Sequence, residues 1–166
     1  MSAEPRWLSP TELRAWLAYR GGMTLLEAAL DRQLQRDAGM PLAYYQILAI
    51  LSEAPERTLR MSDLADKLQS SPSRLSHAVG RLECQGWVQR IPCPNDRRST
   101  LARLTDAGFA ALAAAAPGHV ETVRRLVFDH LTPEQVEQLY TIFQSVLTAV
   151  LDQARNSCGH SPGAAC

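Results

Sequence analysis

Ser71-Pro72-Ser73-Arg74-Leu75-Ser76-His77-Ala78-Val79-Gly80-Arg81-Leu82-Glu83-Cys84-Gln85-Gly86-Trp87-Val88-Gln89-Arg90 reads as a capped amphipathic helix running through a tight turn into a strand. Ser71 predicts a helix N-cap, its hydroxyl able to accept a backbone N–H of the first turn. Pro72 suits the first helical position, where a missing N–H costs nothing. Leu75, Ala78, Val79 and Leu82 recur at three- and four-residue spacing and make one apolar stripe. Gly86 supplies the left-handed residue that ends the helix. At about 100° per residue, Ser73, His77, Gly80 and Cys84 fall opposite that stripe, flanked by Arg74, Ser76 and Arg81. This outer face carries small donors and cations and no carboxylate, with Glu83 to one side. Such a surface can enter a DNA major groove without repelling phosphate. Ser71, Ser73, Arg74, Ser76, His77 and Arg81 are therefore the candidate contacts to base edges and phosphates.

The flanks complete the unit. Upstream, Thr58-Leu59-Arg60-Met61 has the composition of a short strand, and Ser62 is the expected cap of a first helix through Asp63-Leu64-Ala65-Asp66-Lys67-Leu68. Downstream, Trp87-Val88-Gln89-Arg90 and Thr100-Leu101-Ala102-Arg103-Leu104 alternate as paired strands do. Between them Pro92-Cys93-Pro94-Asn95-Asp96 is dense in turn formers, and the two prolines are expected to stop both strands. Arg97 and Arg98 follow the tip, where a cation can drop into an adjacent minor groove. Asp96, which would repel phosphate if left free, is assigned to wing support, aiming a guanidinium. The fold class expected is mainly α with a small β-hairpin wing, a winged helix-turn-helix, and the function expected is DNA-binding regulation.

The run from Leu64-Ala65 through Arg74-Leu75 and Leu82-Glu83-Cys84-Gln85-Gly86-Trp87-Val88-Gln89-Arg90 to Asp96-Arg97-Arg98 and Leu104-Thr105-Asp106-Ala107-Gly108 resembles the multiple-antibiotic-resistance regulator (MarR) family. The Asp-Arg-Arg wing followed by Leu-Thr-x-x-Gly is its most specific part, and the motif-bearing match spans residues 42–110. The resemblance implies long N- and C-terminal dimerisation helices and a homodimer on double-stranded DNA, with affinity altered by a small ligand or by thiol oxidation. In such an architecture Trp16, Tyr19, Met23, Tyr44, Tyr45 and Phe109 are candidates to line a pocket for a small aromatic or phenolic ligand. Some family members sense oxidants through a cysteine in the first helix, and this chain has none there. Cys84 and Cys93 are the thiols left for a redox-switched alternative.

Length and composition bound the rest. The 166 residues suit one domain, and 46% hydrophobic with 20% charged content is globular. No run approaches the roughly 20 apolar residues of a bilayer span, and residues 1–10 lack a secretory core segment, so a cytoplasmic protein with no membrane partner is expected. The net charge is zero, yet residues 57–104 carry nine cations against four acids, leaving the remainder at −5. A basic module in an acidic frame is the footprint of a nucleic-acid binder; a winged helix serving as a protein–protein module, the other alternative, has no need of it. Sixteen of the seventeen cations are arginine. The four cysteines show no metal-ligand spacing. No Ser-His-Asp order, phosphate loop or carboxylate pair stands out, so neither an enzyme nor a cofactor or metal is expected.

In chain order, Ser9-Pro10-Thr11-Glu12 is a capping box opening a helix to about residue 36. Gly21-Gly22 is expected to mark tight packing or a bend. Pro41 starts a second helix with Tyr44, Ile47, Leu48 and Leu51 inward. Thr105 caps a helix to residue 131, kinked at Pro117, and Thr132-Pro133-Glu134-Gln135 opens a last, strongly apolar helix. His119, His130 and His160 read as surface histidines. The organisation expected is a single MarR-like domain over 1–166. Its parts are a dimerisation region of 9–36 and 105–155, a DNA-binding lobe of 42–104, and a disordered tail of 156–166.

Overall fold

The computed structural model describes residues 5–93 and 96–158, with 96–98 and 154–158 described by backbone alone. The chain divides into two compact units, Met1–Thr122 and Val123–Cys166. The first contains helices α1 (Pro10–Ala38), α2 (Leu42–Glu53), α3 (Met61–Lys67) and α4 (Pro72–Cys84), and strands β1 (Thr58–Arg60), β2 (Val88–Cys93) and β3 (Asp96–Leu104). It also contains most of α5 (Asp106–Leu126), while α6 (Pro133–Cys158) lies in the second unit.

Local chemistry sets most of these boundaries. Ser9 accepts from the Glu12 N–H at 3.3 Å and Glu12 Oε2 accepts from the Ser9 N–H at 2.7 Å, a complete capping box. Pro41 has no side chain to cap α2, and Asp31 of α1 does it instead, its Oδ1 accepting from the Leu42 N–H at 2.8 Å. Ser71 caps α4 by accepting from the Arg74 N–H at 3.3 Å, with Pro72 in the first turn. Past the end of that helix Gly86 takes φ 71°, a left-handed conformation glycine adopts without steric cost.

Three strands form one antiparallel sheet in the order β1-β3-β2, with Leu59 opposite Ala102 and Arg90 also opposite Ala102 from the other side. The core lies where the helices meet this sheet. Leu34 and Met40 at the end of α1 join Ile47, Leu48 and Leu51 of α2, Leu64 of α3, and Leu75, Val79 and Leu82 of α4. Val88, Ala102 and Leu104 complete it from the sheet, with Leu112 and Ala115 from α5. Each large aliphatic side chain buried here contributes roughly 1.5–3 kcal/mol. Three such residues hold α4 down, and its opposite face remains exposed.

The start of α5 is stitched to the wing. The Thr105 N–H donates to the Trp87 carbonyl at 3.0 Å, and the Thr105 hydroxyl donates to the Gly86 carbonyl at 2.7 Å. The same hydroxyl accepts from the Gly108 N–H at 3.0 Å. A Cβ at Gly108 would collide with the Trp87 carbonyl, so the Leu-Thr-x-x-Gly motif records a close approach of helix to strand.

Several sequence expectations change. Helix α3 begins at Met61, with Arg60 at the N-cap position; the Ser62 hydroxyl bonds Asp63 at 3.0 Å instead of capping. Gly21-Gly22 neither breaks α1 nor marks a contact within the chain, since a Cβ at either would meet nothing within 4 Å. Pro92 does not stop β2 but lies inside it, opposite Thr100. The sheet order explains this, because β2 is an edge strand and can spare a donor. Helix α5 runs through Pro117 and ends at Leu126, earlier than residue 131, followed by a 3-10 turn over Phe128–His130. In the second unit the α6 capping box forms between Thr132 and Gln135 at 2.9 and 3.3 Å. The α6 backbone continues to Cys158 and so takes in the first three residues of the segment expected as a tail, and residues 159–166 lie outside the described residues.

Candidate nucleic-acid interface

Helix α4 presents Ser71, Ser73, Arg74, Ser76, His77, Arg81 and Cys84, all exposed, along the face opposite Leu75, Val79 and Leu82. Six of the seven are the candidate contacts named from the sequence. The helix's single acid, Glu83, is not free to oppose phosphate. Its Oε2 accepts from Arg90 Nη1 at 2.9 Å and its Oε1 from the Arg90 backbone N–H at 2.9 Å. Arg90 Nη2 also donates to the Ser76 carbonyl at 2.6 Å and lies 3.2 Å from the Ser76 hydroxyl. One arginine of β2 thus ties together two turns of α4 and neutralises its carboxylate.

Beside this brace lies a polar cleft of about 330 Å³ between α4 and the sheet, lined by Arg60, Ser62, Pro72, Ser76, Arg90, Ser99 and Thr100. Two guanidiniums and several hydroxyls facing one concavity suit a nucleic-acid phosphate, which Arg binds through its planar fork. Arg60 and Arg90 were missed as site residues from the sequence. Arg90 stood in plain sight in the motif, but its partners lie seven and fourteen residues away on another element.

The wing residues Asp96, Arg97 and Arg98 form the first three positions of β3, next to residues 94–95. Their side chains lie outside the described residues, so the expected minor-groove contact and the buttressing by Asp96 stay expectations. Farther down the hairpin, Arg103 Nη2 donates to Gln89 Oε1 at 2.8 Å across the two strands. Of the two thiols, Cys84 is exposed on α4 and Cys93 is buried in β2.

The six residues proposed for a ligand pocket do not share one cavity. Trp16 and Tyr19 stack on each other along α1, ring centroids 5.9 Å apart, with Arg20 over the Trp16 ring. Phe109 lies beneath the Arg57 guanidinium, 4.0 Å from its centroid, and Arg57 also pairs with Asp106 at 3.1 Å. Tyr44 packs against the core. Met23 and Tyr45 alone of the six line a groove of about 410 Å³ bordered by α1, α2, the end of α3 and His119 of α5. Its remaining lining is largely apolar, including Leu26, Leu30, Leu42 and Ile50, with Glu27, Gln46, Lys67 and His119 as the polar groups. His119 is no surface histidine: its ring lies 4.3 Å from that of Tyr45, and its Nδ1 is buried without a hydrogen-bond partner among the described residues. Burial holds the His119 imidazole below the usual histidine range and pushes the Tyr45 phenol up.

Among the described residues no helix is long and apolar enough to cross a membrane, and no three His, Cys, Asp or Glu side chains converge on a metal site.

Comparison with known proteins bears on this geometry. The family model described as "MarR family" matches residues 38–99, from the end of α1 into the wing. The HTH-type transcriptional regulator YfiV of Bacillus subtilis (strain 168) is 30% identical over 155 residues, 89% of each chain. The crystal structure of Sco3205, a MarR family transcriptional regulator from Streptomyces coelicolor solved in complex with DNA, shares 53% identity. It superposes with a TM-score of 0.85 over 89% of this chain and 92% of that one. AbsC, another MarR family transcriptional regulator of that organism, is 37% identical at a TM-score of 0.84, covering 89% of this chain and 99% of its own.

Proposed function

The chain belongs to the MarR family of transcriptional regulators, and from that premise we propose that it is a sequence-specific DNA-binding repressor acting as a homodimer on an inverted repeat. The observation that carries this is the α4 surface, where six donors and cations stand exposed and the one carboxylate is tied to Arg90. The 53% identical Streptomyces protein, solved on DNA, supports the same use of the lobe. Two copies of α4 related by a two-fold axis enter successive major grooves about 34 Å apart. Ser73, Arg74, Ser76, His77 and Arg81 face base edges and phosphates, while Ser71 holds the start of the helix. Arg98, supported by Arg97 and aimed by Asp96, takes the flanking minor groove, and Arg60 with Arg90 receives a phosphate between helix and wing.

The lobe of residues 42–104 reads DNA, and residues 9–36 and 105–155 supply the dimer contacts. Apolar side chains left exposed on α1 and α6, among them Leu13, Leu17, Ile142, Val146 and Val150, support that division. A small aromatic or phenolic ligand in the groove of Met23, Tyr45 and His119 shifts the spacing of the two recognition helices, through differential affinity for the two spacings. The protein works in the cytoplasm.

The test is a salt titration of binding to arbitrary duplex DNA. Counterion release gives a log–log slope near −0.9 per phosphate contacted, so a slope of several units is expected. Absence of duplex binding even in dilute buffer, or a flat salt response, overturns the assignment.

A further inference from the structure

A serine hydroxyl is an ambiguous reader of DNA, since it offers one donor and two acceptor positions and can pair with either kind of base edge. At Ser76 one acceptor position is already occupied. Its hydroxyl oxygen lies 3.2 Å from Arg90 Nη2, which also donates to the Ser76 carbonyl at 2.6 Å. The guanidinium is itself fixed, because Glu83 receives both Nη1 and the Arg90 backbone N–H at 2.9 Å. Arg90 and Glu83 are each about 30% exposed at the side chain, so this arrangement is partly shielded from water. A hydroxyl that accepts from a cation turns its proton away from that cation, and the field of the cation disfavours a second donor at the remaining lone pair. Among the described residues the Ser76 proton has no acceptor, and the side chain is exposed on the outer face of α4.

We propose that Arg90 is a positioning residue that makes the Ser76 hydroxyl an obligate donor. Helix α4 then selects, at the step Ser76 reaches, a base offering a major-groove acceptor: guanine N7 or O6, adenine N7, or thymine O4. It discriminates there against the cytosine amino group. This deepens the DNA-binding reading and rests on it. Glu83 takes part indirectly, as the anchor that keeps the guanidinium against Ser76.

The experiment is site selection by the full-length protein from a randomised duplex pool, followed by affinities for every single-base change in one half-site. Ser76→Ala, exposed and structurally mild, identifies the step. Loss of the hydroxyl is expected to flatten the preference at one position per half-site by about three- to tenfold, the range of a single hydrogen bond. Arg90→Met also gives up the phosphate contact assigned to Arg90, so it is expected to lower affinity for every site and to admit cytosine at that same position, with base preference at the other positions kept. Where Arg90→Met does not fold, as thermal unfolding would reveal, the pair Glu83→Gln/Arg90→Met strands no carboxylate and carries the same expectation. A loss of stability alone would lower affinity at all positions equally, so the position-specific change separates positioning from scaffolding. Wild-type preference for cytosine at the Ser76 step, or an Arg90→Met profile superimposable on wild type, overturns the inference while DNA recognition stands. Wild-type protein that selects no sequence at all removes the premise instead.

Discussion

In a helix interior alanine is favoured over glycine by about 1 kcal/mol, yet at Gly108 the added methyl would strike the Trp87 carbonyl and press on Leu104. Backbone cannot yield as a flexible side chain does, so Gly108→Ala is expected to destabilise the protein by about 1–3 kcal/mol. Gly80→Ala on α4, where a Cβ meets nothing within 4 Å, should stabilise the DNA-free protein by roughly 0.5–1 kcal/mol. Chemical denaturation of the two variants checks both signs. His119 gives a second test at this scale. Its neutral form is favoured in the fold, so the unfolded chain binds the proton first as pH falls below the ordinary value of 6.5. Stability is therefore full above that pH and declines below it. Glu27 and Lys67 border the same groove. His119→Phe keeps a ring against Tyr45 and removes the proton site, so the wild-type melting temperature should fall more steeply than the variant's between pH 7 and acidic buffer. Parallel slopes would assign the acid sensitivity elsewhere. The role of Gly108 was half legible: the motif marked the position, but the collision is defined by Trp87, 21 residues earlier.

At the scale of elements, α1, α4 and α6 were readable because each announces its start with a hydroxyl cap and a proline at the first helical position. Helix α3 was misplaced by two residues because Arg60, at its N-cap position, makes no side-chain cap bond and leaves no signature. The end of α5 was missed for the opposite reason: its glycine and proline fall inside the helix, and Leu126-Val127-Phe128 carries no stop signal. The wing strands ran longer than expected because proline is a breaker only where a ladder bond is needed, and β2 is an edge. The outer face of α4 followed from periodicity alone. The brace that silences Glu83 did not, since it joins two elements through a turn. Helix and wing should differ in what their loss does. His77 substitution is expected to change which sequence is preferred, visible in a selection profile. Arg98→Ala is expected to weaken specific and random duplexes alike by about tenfold, the scale of one charged hydrogen bond, because a minor-groove cation carries little sequence information. Unchanged dissociation constants at moderate salt would take the wing out of the interface.

For the molecule as a whole, total charge was misleading and distribution was informative: a chain with no net charge holds a +5 segment within residues 57–104. The apolar run of α6 was equally legible, and Ile142 at 58%, Val150 at 55% and Leu147 at 50% exposure leave it uncovered in the isolated chain. Ile142→Glu is expected to give a monomer by light scattering. Its operator affinity should drop by at least about a hundredfold, since the second half-site no longer arrives at high effective concentration. A dimer that survives the change would move the contact off this stripe. Those bare side chains also tie abundance to integrity. If a second copy shelters them, association adds to the free energy of unfolding by mass action, and the melting temperature climbs with protein concentration. A scarce regulator is then both unpaired and fragile, open to aggregation and proteolysis, so dilution would erase it from the promoter faster than simple dissociation from DNA would.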